Sequence, residues 1–313
     1  MDVKDLLLFF YTESPLHAGA SDSEGIIDLP IQREAHTRYP TVYGQSLKGA
    51  LRQAAEEHTE WTTADVHAVF GSPVGGRGGT TAGLLSVGDA QLVALPIPTL
   101  RRTFAWVTSV IALGRLSRKY RAVGLTEHPV PPAEPEGVIA IGHGWTGDQA
   151  LGPLVLPVDG AVEGAAEDGR NRLVADWAAR IAADAFAPEP AFAPFSRKFG
   201  EDLLLVDATA MATLVEEGTE VSVRVQLNSG KTVENGPFHS EYLPAETVLA
   251  SVLTLRGRSD GAPPDPDHLR LLRSLLHGPG TVLHRLGGDE TLGKGLVWTR
   301  LVDTGSGTGE GTG

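Results

Sequence analysis

The sequence has no cysteine, which excludes disulfide bridges and thiolate metal sites. It has no apolar run near the roughly 20 residues that a membrane-spanning helix needs. Its start, MDVKDLLLFFYTES, lacks the basic opening and long apolar stretch of a signal peptide. A soluble cytoplasmic protein is the expectation. The HExxH, EF-hand, P-loop and nucleophile-elbow patterns are all missing, so zincin, calcium-loop, nucleotide-hydrolase and serine-hydrolase chemistry have no support. Basic residues are in the minority, 26 against 39 acidic, for a net charge of −13. That sum argues against nucleic acid, but its distribution does not. Residues 95–124 carry six basic and no acidic side chains, whereas 125–220 carry five basic and seventeen acidic. A basic surface beside an acidic one is possible, and polyanion binding follows the local field.

What is present is concentrated in Gly25–Arg52, GIIDLPIQREAHTRYPTVYGQSLKGALR. Asp28 follows a short apolar pair. Arg33, His36 and Arg38 lie in a segment too polar for a core. Leu47, Ala50, Leu51 and Ala54 then repeat at helical spacing. Ser46 reads as the N-cap of that helix and Gly44 as the tight turn before it. Lys48 and Arg52, four apart, share a face near the helix start, where free N–H groups suit a phosphate. A capped helix with a solvated basic face fits the same residues equally well.

Around this stretch, Leu6–Tyr11 reads as a buried first strand. His17 follows it in a loop. Thr62–Asp65 opens a short helix ending at Gly71, residues 72–83 form a loop, and Leu84–Ala94 is a strand with Gly88 as a possible bulge. Phe104–Thr108 is a strand, and Ser109 caps the helix that follows it. This order suggests an α+β sheet with helices on one face. Asn228–Lys231 is a turn signal at the tip of a hairpin. Gly287–Gly295, with Lys294, is a second glycine-rich loop; it does not run from a strand into a helix, so it is no dinucleotide fingerprint. The loop carboxylates Asp22, Asp28 and Glu34 have no HExxH or EF-hand spacing; one of them beside His17 or His36 suits a general base or the water shell of a Mg2+ ion. From the residues alone, the chain is a phosphate-binding α+β protein with a possible acid–base site.

The segments SPLHAGAS, DLPIQRE, SLKGALR, AGLLSVGDAQLVALPIPTL, FAWVTS, EYLPAET and LGGDETLGKGLV, in that order, closely resemble the RAMP-superfamily backbone subunits of type III-B (Cmr) CRISPR effector complexes. The resemblance implies a ferredoxin-like (RRM-like) core with a β-hairpin thumb and large insertions. It divides the chain into 1–124 (first part of the core, with the catalytic loop and basic helices), 125–200 (acidic insertion), 201–303 (second part of the core, with thumb and glycine-rich loop) and 304–313 (disordered tail). It implies antiviral defence by a subunit that stacks in several copies along CRISPR RNA, alongside other Cmr subunits. Such a subunit cleaves complementary single-stranded target RNA at regular intervals with a divalent metal, Mg2+ or Mn2+. The family's catalytic and metal-binding aspartate falls on Asp28; His17 and His36 are the nearest candidates for protonating the leaving oxygen in such a cleavage. Arg33, Arg38, Ser46, Lys48, Gly49, Arg52, Glu241, Tyr242, Gly287, Gly288, Gly293 and Lys294 fall on RNA-binding positions, and Val221–Tyr242 on the thumb. A non-catalytic RNA scaffold is the competing expectation from a different functional class.

Overall fold

The computed structural model describes residues 3–20, 27–73, 81–140, 144–159, 169–257, 263–277 and 281–302. Asp22, the tail 304–313 and most of the loop 72–83 lie outside the described residues. The first part of the chain forms β1 (Val3–Thr12), β2 (Thr41–Val42), α1 (Gly44–Glu57), α2 (Thr63–Phe70), β3 (Leu85–Val87), β4 (Ala90–Thr99), β5 (Thr103–Thr108) and α3 (Val110–Ala122). The middle forms β6 (Val138–Ala140), β7 (Gly147–Leu151), β8 (Leu154–Asp159), α4 (Gly169–Ala185), α5 (Ala193–Asp202), β9 (Leu203–Leu205) and α6 (Ala208–Glu217). The last part forms β10 (Glu220–Leu227), β11 (Val233–Tyr242), β12 (Val248–Arg256), α7 (Pro266–Leu276), β13 (Val282–Arg285) and β14 (Leu296–Leu301).

The main sheet runs β13-β14-β1-β12-β4-β5-β9-β6-β8-β7, with β2 added to β4 and β3 to β12. β1 lies at its heart, antiparallel to β12 on one side and to β14 on the other. The cause is its composition. Leu6 to Tyr11 are all buried, and an unbroken apolar run must be covered on both faces. Leu6, Leu8 and Phe10 pack with Leu47 and Leu51 of α1 and with Leu272 and Leu275 of α7. Leu7, Phe9 and Tyr11 pack with Leu113 and Leu116 of α3 and with Trp177 and Ile181 of α4. Each such side chain contributes roughly 1.5–3 kcal/mol on burial. The expectation of helices on one face is therefore corrected: the sheet is sandwiched, and part of its second cover comes from the 125–200 segment.

Local signals hold where the chemistry is local. Thr62 and Asp65 form a capping box, and α2 ends at Gly71 in a positive-φ conformation. The Ser109 hydroxyl accepts from the Ala112 N–H. The strand expected over Leu84–Ala94 is split instead at Gly88–Asp89, because Asp89 turns to accept the Gly44 N–H at 2.7 Å. β10 and β11 form a two-stranded sheet of their own. The Asn228 side chain shapes the hairpin tip by accepting from the Gly230 and Thr232 N–H groups. Val221, Val223, Val225 and Phe238 on this hairpin are exposed.

Candidate functional site

Asp28 sits where the loop after β1 meets the root of the hairpin. The backbone N–H groups of Asp28 and Leu29 donate to the His239 carbonyl at 3.1 Å, and the Glu241 N–H donates to the Leu29 carbonyl at 2.9 Å. The loop thereby adds to the free edge of β11, with Leu29 pairing parallel to Ser240. The His239 N–H donates to Asp28 Oδ2 at 2.7 Å, and the imidazole Nδ1 lies 3.4 Å from the same oxygen. The Asp28 side chain is about half exposed, at 49%. The backbone N–H of His239 is the main reason its carboxyl is held below the usual carboxylate range. The result is an ionised carboxylate, fixed through one oxygen and open to solvent.

Gln32, Arg33 and Glu34 each anchor this loop to a different element. Gln32 Nε2 donates to the Gly19 carbonyl and to Ser46 Oγ, while its Oε1 accepts from the Tyr43 N–H at 2.6 Å. Arg33 donates to the Arg38 and Val215 carbonyls and to Glu241 Oε1 at 2.6 Å. Glu34 pairs with Arg115 of α3 at 2.8 Å and accepts from Gln91 and Thr37. The Arg33 and Glu241 side chains are each only 3% exposed. Glu241 also accepts from the Ile31 N–H and the Thr219 hydroxyl. The reading of Arg33 as part of a segment too polar for a core is thus corrected: a buried, hydrogen-bonded ion pair removes both charges from water.

His17 lies one step further along β11. Its Nδ1–H donates to the Glu241 carbonyl at 2.7 Å, and its ring stands 5.5 Å from that of Tyr242. That bond fixes the proton on Nδ1 and leaves Nε2 with its lone pair when neutral. The Gly288 N–H donates to the His17 carbonyl. Gly287 has φ +80, and a Cβ there would stand 2.3 Å from the same oxygen, so only glycine fits. Tyr242 is buried; its hydroxyl donates to Asp289 Oδ2 at 2.8 Å, and Lys294 Nζ lies 4.9 Å above its ring. Gly293, with φ +74, faces open space. His36 is elsewhere: 73% exposed, it accepts from Arg115 and stands beside Glu34 at the end of the loop that faces α3. Arg38 pairs with Glu216 of α6 at 3.0 Å.

The start of α1 differs from its sequence reading. Tyr43 is the N-cap residue and makes no side-chain cap bond; Ser46 lies inside the first turn and accepts from Gln32. Gly44 is there because a Cβ would meet the Val87 carbonyl at 2.1 Å, a close approach and not a special turn. Lys48 donates to the Leu85 carbonyl, and Arg52 to the Gly71 carbonyl and Glu56. Burial, with Arg256 and Arg52 nearby, lowers the Lys48 ammonium pKa. Gly49 is exposed, with nothing within 4 Å of a Cβ placed there.

His239, Asp289 and Arg224 escaped the sequence reading. Only the position of His239 two residues before Glu241 hinted at it. Among the described residues, no three His, Asp or Glu side chains converge on an ion. Asp28 offers a single carboxylate, already bound through one oxygen, so these residues do not form a cage for a divalent metal. No helix among the described residues is long and apolar enough to cross a membrane.

Over 304 residues the chain is 29% identical to the CRISPR system Cmr endoribonuclease Cmr4 of Pyrococcus furiosus, covering 96% of this chain and 97% of that protein. It is 25% identical over 313 residues to the CRISPR system CMR subunit Cmr4 of Saccharolobus solfataricus, covering 94% and 96%. The crystal structure of oligomeric Cmr4 from Pyrococcus furiosus superposes with a TM-score of 0.70 at 25% identity, over 95% of this chain and 97% of that one. A chain of the type III-B Cmr-beta cryo-EM structure bound to cognate target RNA shares the fold, with a TM-score of 0.68 at 18% identity over 95% and 96%. The RAMP superfamily profile matches residues 9–298, and the chain belongs to that family.

Proposed function

We propose that the chain is a backbone subunit of a CRISPR RNA-guided defence complex in the cytoplasm. It binds guide RNA in stacked copies beside other Cmr subunits and cleaves complementary single-stranded target RNA at regular intervals. The observation that carries this reading is Asp28, an exposed, ionised carboxylate fixed at the root of a projecting hairpin in a chain of this family. Its core reads as ferredoxin-like: β1, α1, β4, β12, α7 and β14 follow a βαββαβ order, and their strands lie as β14-β1-β12-β4. The hairpin β10–β11 is the thumb.

In this reading Asp28 accepts the proton of a target 2′-OH beside a displaced nucleotide. The O2′–P bond forms as the P–O5′ bond breaks, leaving a 2′,3′-cyclic phosphate on one product. His17 in its imidazolium form carries a proton on Nε2, which has no hydrogen-bond partner among the described residues, and it is placed better than His36 to give that proton to the leaving O5′. Arg52 of α1 and Arg256 at the end of β12 both stand near enough to the Lys48 ammonium to repel it. A guide phosphate there relieves that repulsion, and Gly49 leaves room for its backbone. Gly287, Gly288, Gly293 and Lys294 hold the guide from the other loop. Arg33 and Glu241 act from inside, by fixing the loop that carries Asp28. Metal dependence is proposed on the family resemblance alone, and titration of EDTA-treated complex with Mg2+ or Mn2+ checks it.

The test is reconstitution with Asp28→Ala and a complementary RNA. Normal assembly with loss of the regularly spaced cuts is expected. Cutting that survives overturns the catalytic role and leaves the scaffold reading.

A further inference from the structure

Among the described residues the hairpin shares no strand pairing with the main sheet, yet it carries the groups that hold Asp28. The Leu29–Ser240 bridge, the Arg33–Glu241 pair and the His17 bond tie the β11 strand to the body; β10 needs an anchor of its own. Arg224, in the middle of β10, places both terminal nitrogens on the two oxygens of Asp289 at 2.8 Å each. The same guanidinium donates to Ser240 Oγ at 2.7 Å, and the Tyr242 hydroxyl gives Asp289 a third donor. Asp289 takes a left-handed φ of +62, an unfavoured conformation for a residue with a Cβ. Three charge-assisted or neutral donors hold it there. Its loop is pinned in turn to the segment after β1, through Gly288 to His17 and Gly295 to Pro15. One end of this bridge is thus on the rigid body and the other on Arg224, Ser240 and Tyr242 of the hairpin. Ser240 is next to His239, whose N–H fixes Asp28.

We propose that Asp289 and Arg224 are positioning residues for cleavage: a bidentate latch from the glycine-rich loop that sets the hairpin angle and so aims Asp28. The inference rests on the reading of Asp28 as the cleaving carboxylate. Neither residue touches the reacting atoms. A bidentate pair suits this task because it fixes orientation as well as distance. Lysine in place of Arg224 keeps the charge and loses the fork. Asparagine in place of Asp289 keeps a side chain that tolerates the left-handed backbone and loses the charge.

The test uses the assembled guide-bound complex and single-turnover cleavage at saturating target. Asp289→Asn and Arg224→Lys are each expected to slow cleavage at least tenfold, with guide retention and target affinity within twofold of wild type. The double variant Asp289→Asn/Arg224→Lys is expected to lose no more than the worse single. Rates within twofold of wild type, or full additivity of the two losses, overturn the proposal. Should a variant assemble poorly, hydrogen exchange of the His239 amide in the full chain decides. Faster exchange supports the latch and unchanged exchange overturns it. Asp28→Ala runs in parallel: if it still cleaves, the catalytic reading fails, and the latch is judged on amide exchange alone.

Discussion

The Asp28 carboxylate and the His239 backbone N–H, 211 residues apart in sequence, meet at 2.7 Å. With the backbone bonds beside it, this contact joins the loop after the first strand to the hairpin of the last third of the chain. It is also the largest cause of the lowered Asp28 pKa, and the imidazole lowers it further. A depressed carboxylate adds stability above its unfolded pKa and loses it as pH falls through the folded one. For so exposed a group, the observable is the titration itself. Carbon-detected NMR of Asp28 should give a midpoint below the ordinary aspartate value of about 3.9. His239→Ala should still titrate below the ordinary value, because the backbone donor remains. A midpoint at or above the ordinary value contradicts the bond.

Arg33 and Glu241 form the buried counterpart of that contact. Removing one partner strands the other charge among groups that cannot hydrate it. Arg33→Met should destabilise the chain by about 3–5 kcal/mol, read by denaturant unfolding. A loss below about 1 kcal/mol, as for an exposed pair, means that the pair is hydrated.

The two histidines first grouped with Asp28 should behave differently. His17→Asn keeps a donor to the Glu241 carbonyl and removes Nε2. Cleavage should fall by about 10²-fold, the lower end for a lost proton-transfer group, with assembly intact. His36→Ala should cleave within twofold of wild type. Equal effects from the two would place the proton donor elsewhere.

Two glycines of α1 separate packing from binding. Gly44→Ala drives a methyl into the Val87 carbonyl and should destabilise by about 1–3 kcal/mol. Gly49→Ala meets nothing and should stabilise by up to about 1 kcal/mol through helix propensity. If a guide backbone lies against Gly49, that same stabilised variant binds guide RNA more weakly in a filter-binding titration. Unchanged guide affinity places the guide away from this helix.

What the sequence made legible was local. The run Leu6–Tyr11 marked the first strand, Asn228 marked the hairpin tip, and Thr62 and Ser109 marked helix starts, because each signal acts within a few residues. Ser46 misled for the same reason: a serine in the right place suggests a cap, and nothing nearby reveals that Gln32 takes its hydroxyl. The helices Ala193–Asp202 and Ala208–Glu217 went unread between proline-rich and acidic stretches. The second covered face was implicit in six consecutive buried residues, but which helices cover it depends on contacts far apart in sequence. The site divides likewise. The family resemblance singled out Asp28, while its partner His239, the burial of Arg33 against Glu241 and the Asp289–Arg224 bridge each join residues separated by 65 to 211 positions. No spacing rule spans such distances.

The most direct test is the single-turnover cleavage rate of the assembled complex carrying Asp28→Asn, which keeps the side-chain shape and an oxygen for the His239 N–H but removes the charge. A fall of at least about 10²-fold, with guide and target binding unchanged, is expected. A rate within twofold of wild type contradicts Asp28 as the cleaving carboxylate.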